Sequence, residues 1–124
     1  MKFYKCEKCG KVIAIVYATS VPTVCCGEAM KELVANENDG AVEKHVPVVK
    51  ALPGKLVVEV GSEPHPMVDA HFIEWVAIET DRGNQRVVLT SKNRPMAEFA
   101  LLEDDRPQTV YAYCNLHGLW KADL

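Results

Sequence analysis

The sequence predicts a mostly β protein in two parts, a small four-cysteine metal-binding domain followed by an antiparallel β-sandwich. Two observations support this prediction. The first 26 residues contain four of the five cysteines in the chain. From Val46 onward, short runs rich in β-branched residues alternate with turn-forming residues, and no stretch has a convincing helical period.

Length and charge place the chain among ordinary globular proteins. Its 124 residues suit one domain, or a small domain joined to a larger one. A formal charge of −3, with scattered lysines and arginines, gives no reason to expect nucleic acid. No apolar run could span a bilayer and the first residues do not resemble a signal peptide, so we expect a cytoplasmic protein without membrane contact. In a reducing cytosol, five cysteines favour metal ligands or redox groups over disulfides.

The N-terminal cysteines form two pairs with different spacing. Cys6 and Cys9 belong to a Cys-x-x-Cys-Gly turn, in which two sulfurs converge on one ion and Gly10 is free to take a positive φ. Cys25 and Cys26 are adjacent, and neighbouring residues of an extended chain point to opposite sides. Both can therefore bind one ion only if the chain kinks between them.

So short a unit buries too little apolar surface to fold without a metal. Four thiolates around one ion would add binding energy on the order of 10 kcal/mol to folding. Generic four-cysteine patterns favour a closed zinc ribbon, whereas a distorted sulfur cage also suits a one-electron iron site. The spacing leaves the choice between these metals open.

A polar, turn-forming stretch at residues 36–40 separates the two parts. We predict a first domain over residues 1–36, a linker over 37–42 and a second domain over 43–124. Hairpin turns are predicted at residues 53–54 and 81–84. Seven antiparallel strands at this spacing indicate a sandwich of the immunoglobulin-like type. They are Val46–Ala51, Lys55–Val60, Phe72–Thr80, Gln85–Leu89, Ala97–Leu102, Thr109–Cys114 and Gly118–Ala122.

The four histidines and the fifth cysteine predict a second metal site. Cys114 and His117 stand three residues apart in a turn-prone stretch, and His45, His65 and His71 all fall at predicted loop edges. On a continuous strand His65 and His71 would lie roughly 20 Å apart. They can share an ion only if the chain bends between them, and prolines flank His65.

Four imidazoles and one thiolate exceed the four ligands that zinc normally takes, and they leave one octahedral position open. This donor set favours iron. A thiolate opposite the open position would push electron density onto the metal and its oxygen ligand. Ferrous iron at such a site would give one electron to superoxide, and the peroxide product would leave with its O–O bond intact. An electron carrier of blue-copper or rubredoxin type is the alternative, but copper sites use two histidines. A structural zinc module is a third.

Glu43 and Lys44 immediately precede His45. On composition alone they are surface charges. Beside a real metal site, Lys44 would attract an anionic substrate, and Glu43 would occupy the vacant position once the iron is ferric. We expect the other conspicuous side chains to serve packing, with Trp120 placed to shield one side of the site; these are Met67, Trp75, Tyr111, Tyr113 and Trp120.

With these motifs, the chain resembles the desulfoferrodoxin family, the two-iron form of superoxide reductase, over essentially its whole length. Its N-terminal cysteines match the desulforedoxin domain, so the resemblance implies a rubredoxin-like iron centre rather than zinc. The remainder resembles the neelaredoxin domain, whose Glu-Lys-His-x-Pro, His-Pro-Met, His-x-Ile-x-Trp and Cys-Asn-x-His-Gly motifs all occur here. They carry the iron ligands of the catalytic centre onto His45, His65, His71, Cys114 and His117.

The resemblance also implies roles for other residues and partners. Glu43 would bind the ferric iron and Lys44 would help to draw in superoxide. The expected protein holds two iron ions per chain, forms a homodimer, and takes electrons from rubredoxin or a similar small donor.

Overall fold

The structure, a computed structural model, describes all 124 residues, Met1–Leu124. It divides into two compact units, Met1–Val34 and Ala35–Leu124. The prediction of a mostly β chain is confirmed, since the one helix, α1 (Val42–His45), has four residues. No helix in the chain is long and apolar enough to cross a membrane. The division into domains over 1–36 and 43–124, with a linker over 37–42, stays a prediction.

The first unit consists of two very small sheets. Strand β1 (Lys2–Lys5) lies between β2 (Val12–Ile15) and β5 (Lys31–Glu32), and β3 (Val24–Cys25) pairs with β4 (Glu28–Ala29). Its buried residues are few, so apolar packing alone contributes little to its stability. They are Phe3, Cys6 and Met30.

The second unit is the predicted antiparallel sandwich of seven strands. One sheet has the order β10-β7-β6 and the other the order β12-β11-β8-β9. The hairpin turns predicted at residues 53–54 and 81–84 are both present, between β6 and β7 and between β8 and β9. The strands are β6 (Pro47–Leu52), β7 (Lys55–Val60), β8 (Ile73–Thr80), β9 (Asn84–Val88), β10 (Met96–Ala100), β11 (Pro107–Cys114) and β12 (Gly118–Asp123).

The core of the sandwich takes alternate residues from both sheets, as half-buried strands require. Strands β7 and β10 contribute from one sheet, and β8 and β11 contribute from the other. Cys114 is the last residue of β11 and belongs to this core, fully buried at 0% exposure. The core residues of the four strands are Leu56, Val58, Val60, Ile73, Val76, Ile78, Ala97, Phe99, Val110, Ala112 and Cys114.

The topology brings five strand ends, and the four chain segments next to them, to one end of the sandwich. Pro47 at the start of β6 pairs with Val60 at the end of β7. Cys114 at the end of β11 pairs with both Ile73 at the start of β8 and Gly118 at the start of β12. Residues just before β6 and β8, just after β7 and between β11 and β12 therefore lie together. Every histidine in the chain is in one of these positions.

We predict that Phe99→Ala lowers the free energy of unfolding of the second unit by about 3–5 kcal/mol, because Phe99 is 2% exposed and its loss leaves a cavity. Urea unfolding followed by tryptophan fluorescence measures this, since both tryptophans lie in that unit. Glu98→Ala is the matched control on the same strand. Its carboxylate makes a surface ion pair with Lys55 at 3.2 Å, worth about 1 kcal/mol or less. Equal losses in the two variants would contradict the assignment of the core.

Candidate metal centres

The four N-terminal cysteines converge as predicted. Their sulfur atoms all lie within 4.8 Å of one another. Cys25 Sγ is 3.7 Å from Cys9 Sγ and 3.9 Å from Cys26 Sγ. Sulfurs arranged as a tetrahedron about 2.3 Å from a central ion would be about 3.8 Å apart. The cluster therefore has the dimensions of a four-thiolate metal site.

Local backbone geometry explains how both cysteine pairs reach one point. Gly10 has the predicted positive φ, +79°, and its N–H donates to Cys6 O at 2.9 Å to close the first turn. Cys26 has a φ of +52°, which is uncommon for a residue other than glycine. This is the kink that adjacent cysteines require if both are to face the same ion.

The thiols of this cluster have unequal acidities. The backbone N–H of Cys9 lies 3.4 Å from Cys6 Sγ and lowers the pKa of Cys6 to about 6. The neighbouring thiol of Cys9 raises the pKa of Cys26 to about 12. Four thiolates cannot ionise side by side without a cation between them, so the cluster as a set fits a bound metal.

The second cluster is a ring of four imidazoles. Going round the ring, the centroids of neighbouring imidazoles are 4.6, 4.6, 5.1 and 4.9 Å apart, and those of His45 and His71, on a diagonal, are 6.3 Å apart. Neighbouring rings are steeply inclined, by 74° to 90°. These values describe a square of rings in the order His45, His65, His71 and His117.

The hydrogen bonds of two of these rings decide where their protons are. His45 Nδ1 lies 2.7 Å from Ala41 O, and His65 Nδ1 lies 2.7 Å from Pro66 O. A carbonyl only accepts, so each Nδ1 carries the proton and each Nε2 has a free lone pair. Yet the two Nε2 atoms face each other at 3.1 Å. Two lone pairs at this distance repel unless a cation lies beside both.

The other members of the cluster fit the same ion. His45 Nε2 is also 3.1 Å from His117 Nδ1, and four nitrogens in a square about 2.1 Å from an ion would be about 3.0 Å apart. His71 Nε2 is buried and has no hydrogen-bond partner, which a metal bond would satisfy. Cys114 Sγ completes the set, within 4.8 Å of the nitrogens of three histidines and 3.8 Å from His117 Nδ1.

Burial adjusts the protonation of this cluster. Burial lowers the pKa of His65 to about 4 and also lowers the pKa values of His45 and His71, so these rings are neutral at pH 7. Burial raises the pKa of the Cys114 thiol, while backbone N–H groups of Leu116 and His117 lower it. The His117 N–H lies 3.4 Å from the sulfur. Neutral imidazoles are the form that binds metal, and a buried thiol becomes a thiolate beside a cation.

Glu43 and Lys44 lie on α1, directly before the buried ligand candidate His45. The sequence placed His45 at a loop edge; the structure places it in a single helical turn, which is too short to produce a periodic pattern. Both charged side chains are exposed. The pKa of the His71 ring is lowered first by burial, next by His117, and to a smaller extent by the positive charge of Lys44.

A turn at residues 61–63 packs against the backbone of α1 and supports it. The N–H of Glu63 and the hydroxyl of Ser62 both donate to Glu43 O, at 2.9 and 3.2 Å. Gly61 lies so close that an added Cβ would be 2.5 Å from Glu43 O and 2.8 Å from the carbonyl carbon of Lys44. Sequence reasoning missed this contact, because nothing in the sequence pairs Gly61 with Glu43.

The segment before α1 packs over the ring of imidazoles. The Trp120 ring lies 4.9 Å from the His45 ring and is tilted by 31° to it, as expected of a residue that shields the cluster. A Cβ on Gly40 would lie 3.1 to 3.3 Å from Trp120, His45 and His117. Asn38 Nδ2 donates to Leu119 O at 3.1 Å. These contacts close one side of the cluster.

The remaining side chains singled out in the sequence pack as expected. Met67 lies against the core, and its sulfur accepts the N–H of Ile73 at 3.4 Å. Trp75 and Tyr113 stack at 5.3 Å, and Tyr111 is buried at 6% exposure. Asn115, which sequence reasoning left without a role, bonds to the chain on both sides of His71.

The desulfoferrodoxin family matches residues 37–123, and the desulfoferrodoxin N-terminal domain matches residues 1–33. The chain belongs to the desulfoferrodoxin family. A desulfoferrodoxin homolog of Archaeoglobus fulgidus is 40% identical over 98% of this chain and 96% of its own. The desulfoferrodoxin of Nitratidesulfovibrio vulgaris is 40% identical over 98% of this chain and 95% of its own.

Similarity at the level of structure is equally extensive. The crystal structure of the superoxide reductase from Treponema pallidum has a TM-score of 0.83 with this chain at 31% sequence identity. The match covers 98% of both chains. The similarity therefore extends over almost the whole chain.

We predict that Gly61→Ala weakens metal binding at the histidine cluster by roughly tenfold or more, because the new Cβ displaces α1 and with it His45. Equilibrium dialysis against a competing chelator measures the affinity. Gly83→Ala is the matched control, since nothing lies within 4 Å of its Cβ position. The four-cysteine centre should be unchanged in both variants. An unaltered affinity in Gly61→Ala would rule out this support of α1.

Proposed function

We propose that this protein is a superoxide reductase. The reaction joins one superoxide, one electron and two protons to give one hydrogen peroxide, and no dioxygen is released. The observation that carries the proposal is the square of four imidazoles with a buried cysteine sulfur beside it. Membership of the desulfoferrodoxin family and the likeness to the Treponema pallidum superoxide reductase support the same activity.

The donor set supports iron as the metal of this centre. Five donors exceed the four of a zinc site and the two histidines of a blue-copper site. We assign the ligands as His45, His65, His71, His117 and Cys114. The group contains no carboxylate, so one coordination position remains for a small oxygen species. When bound, the iron supplies the single electron that converts superoxide to the peroxide level.

The protein's own groups hold this donor set ready. Ala41 O and Pro66 O orient two of the rings with their free nitrogens inward. The N–H groups of Leu116 and His117 stabilise negative charge on Cys114, which burial opposes. As a ligand, the Cys114 thiolate would donate electron density to the bound metal.

Two charged residues on α1 are assigned roles toward the substrate. Lys44 is exposed and its charge reaches the His71 ring, so it draws anionic superoxide toward the centre. Glu43 is held through its carbonyl by Ser62 and Glu63. If the bound iron is ferric, we assign the Glu43 carboxylate as the group that would fill the coordination position left open by the five donors.

The four-cysteine centre is assigned to a second iron that stores and transfers one electron. Its ligands are Cys6, Cys9, Cys25 and Cys26, which gives two irons per chain. Two of these cysteines, Cys9 and Cys26, are exposed, so an electron donor can approach the cluster closely. The resemblance to the family supports rubredoxin or a similar small donor, and a homodimer. Five free cysteines suit the reducing cytoplasm, where we place the protein.

The activity is tested by adding superoxide to the fully reduced protein and measuring peroxide and dioxygen together. A superoxide reductase yields one peroxide for each superoxide consumed and no dioxygen. An electron carrier with no catalysis, the alternative function, would leave superoxide to disproportionate at the rate of buffer. Release of dioxygen in half the molar amount of superoxide would reject the proposal.

We predict that Cys114→Ser lowers the activity more than about 100-fold, because it removes a ligand. Changes to residues that only support ligands cost roughly 10- to 100-fold. The thiolate-to-iron absorption of the histidine centre should vanish, as read by visible spectroscopy. The absorption of the four-cysteine centre is the internal control and should persist. Full superoxide-reducing activity in this variant would show that Cys114 is not a ligand.

We predict that Lys44→Ala slows the second-order reaction with superoxide by roughly threefold to tenfold at low ionic strength, and less at high salt, because an attractive charge is lost. Pulse radiolysis measures the rate. Lys55→Ala removes the same charge at the opposite end of β7 and is the control. Equal rates in the two variants at low salt would leave Lys44 an ordinary surface residue.

A further inference from the structure

We infer that Asn115 is a positioning residue of the catalytic centre, because it fixes His71 by bonding to the main chain on both sides of it. The inference rests on the proposed function, in which His71 is an iron ligand. Asn115 Nδ2 donates to Ala70 O at 3.1 Å, and Asn115 Oδ1 accepts the N–H of Phe72 at 3.0 Å. The backbone N–H of Asn115 also donates to Phe72 O at 3.2 Å.

His71 needs such support more than two of its neighbours in the cluster. The rings of His45 and His65 are held by 2.7 Å hydrogen bonds to main-chain carbonyls. The His71 ring has no main-chain hydrogen bond, and its Nε2 is buried without a partner. Its direction therefore depends on where its own backbone is held. A pair of backbone bonds with Val68, at 3.0 and 3.1 Å, secures one edge of that backbone.

Asn115 secures the other edge of that backbone by hydrogen bonds. It thereby connects the His71 segment to the loop that contains Cys114 and His117. It directly follows Cys114 and stands two residues before His117. The ladder between β8 and β11 changes register at this point, between Tyr113 and Cys114. Regular strand pairing ends there, and the Asn115 side chain replaces the backbone partners that the ladder no longer supplies. One amide therefore sets the spacing between His71 and both ligands of the Cys114 loop.

The side chain matters because of its two ends. An amide presents a donor and an acceptor at once, which matches one carbonyl and one N–H two residues apart. Asn115→Ala removes both bonds. Asn115→Asp keeps the acceptor for Phe72 but places a carboxylate oxygen against Ala70 O, so only one of the two bonds survives. Asn93→Ala is the matched control, because Asn93 makes the same kind of bond to Thr90 at 2.7 Å in a turn that contains no ligand.

The test uses the intact iron-loaded protein and three readouts. The first is the rate at which a ferrous chelator removes iron from the histidine centre, with the four-cysteine centre as internal reference. The second is the position of the thiolate-to-iron absorption of the histidine centre. The third is hydrogen exchange, by mass spectrometry, of the peptide that covers residues 66–75. A residue that merely stabilises a turn would alter the third readout alone.

We expect Asn115→Ala to release iron roughly 10- to 100-fold faster than the wild type, in line with other supporting residues of metal sites. Its absorption band should shift and its 66–75 peptide should exchange faster, and Asn115→Asp should lie between Ala and wild type. Release and absorption equal to those of Asn93→Ala overturn the inference. If Asn115→Ala does not fold, the same comparison made with Asn115→Asp decides.

Failure of the proposed function would appear differently. If the wild-type chain binds no iron at the histidine cluster, or binds it without reducing superoxide, the proposed function fails. The hydrogen exchange of residues 66–75 still measures the Asn115 clamp in that protein. Exchange unaltered by Asn115→Ala would then overturn the inference independently.

Discussion

His45 and His65 face each other with two unprotonated nitrogens 3.1 Å apart, in a buried place, and both are fixed by carbonyl bonds on their far side. This arrangement is unfavourable in a protein without a cation, because each lone pair meets another lone pair instead of a donor. It becomes favourable when one metal ion accepts both. Folding of this end of the sandwich and metal binding are therefore linked, as they are in other small metal sites.

The antiparallel sandwich makes this convergence possible. Strand starts and strand ends meet at one edge, so ligands separated by up to 72 residues, such as His45 and His117, become neighbours. Cys114 belongs both to the hydrophobic core and to the donor cluster, so one of the candidate metal ligands is fixed by core packing. Glu43 and Lys44 are exposed on the helical turn that ends at His45.

The two centres use different physical means to gather their donors. In the first unit, local turns with positive φ at Gly10 and Cys26 bring sulfurs from near positions together. In the second unit, the packing of distant chain segments brings the donor side chains together. The first unit has a minimal core, so its stability depends on bound metal. The second unit has an extensive core next to its metal site.

Much of this was predictable from the sequence, because it depends on residue type and local pattern. The strands follow β-branched runs, the kink at Cys26 follows from the adjacency of two cysteines, and the two donor sets follow from composition. The order of the rings was not predictable, since it depends on long-range packing. Nor were the carbonyls of Ala41 and Pro66, which have no side-chain signal. The contact of Gly61 with Glu43 and the clamp by Asn115 likewise arise only when distant segments meet.

The most direct test of two distinct iron centres is the metal content of anaerobically purified protein, measured with its visible spectrum before and after oxidation. We expect two irons per chain and two separable thiolate-to-iron absorptions, one from each cluster. One zinc with one iron would make the four-cysteine centre structural and leave the catalytic assignment intact. Copper, or zinc alone in a colourless protein, would contradict the assignment of two iron centres.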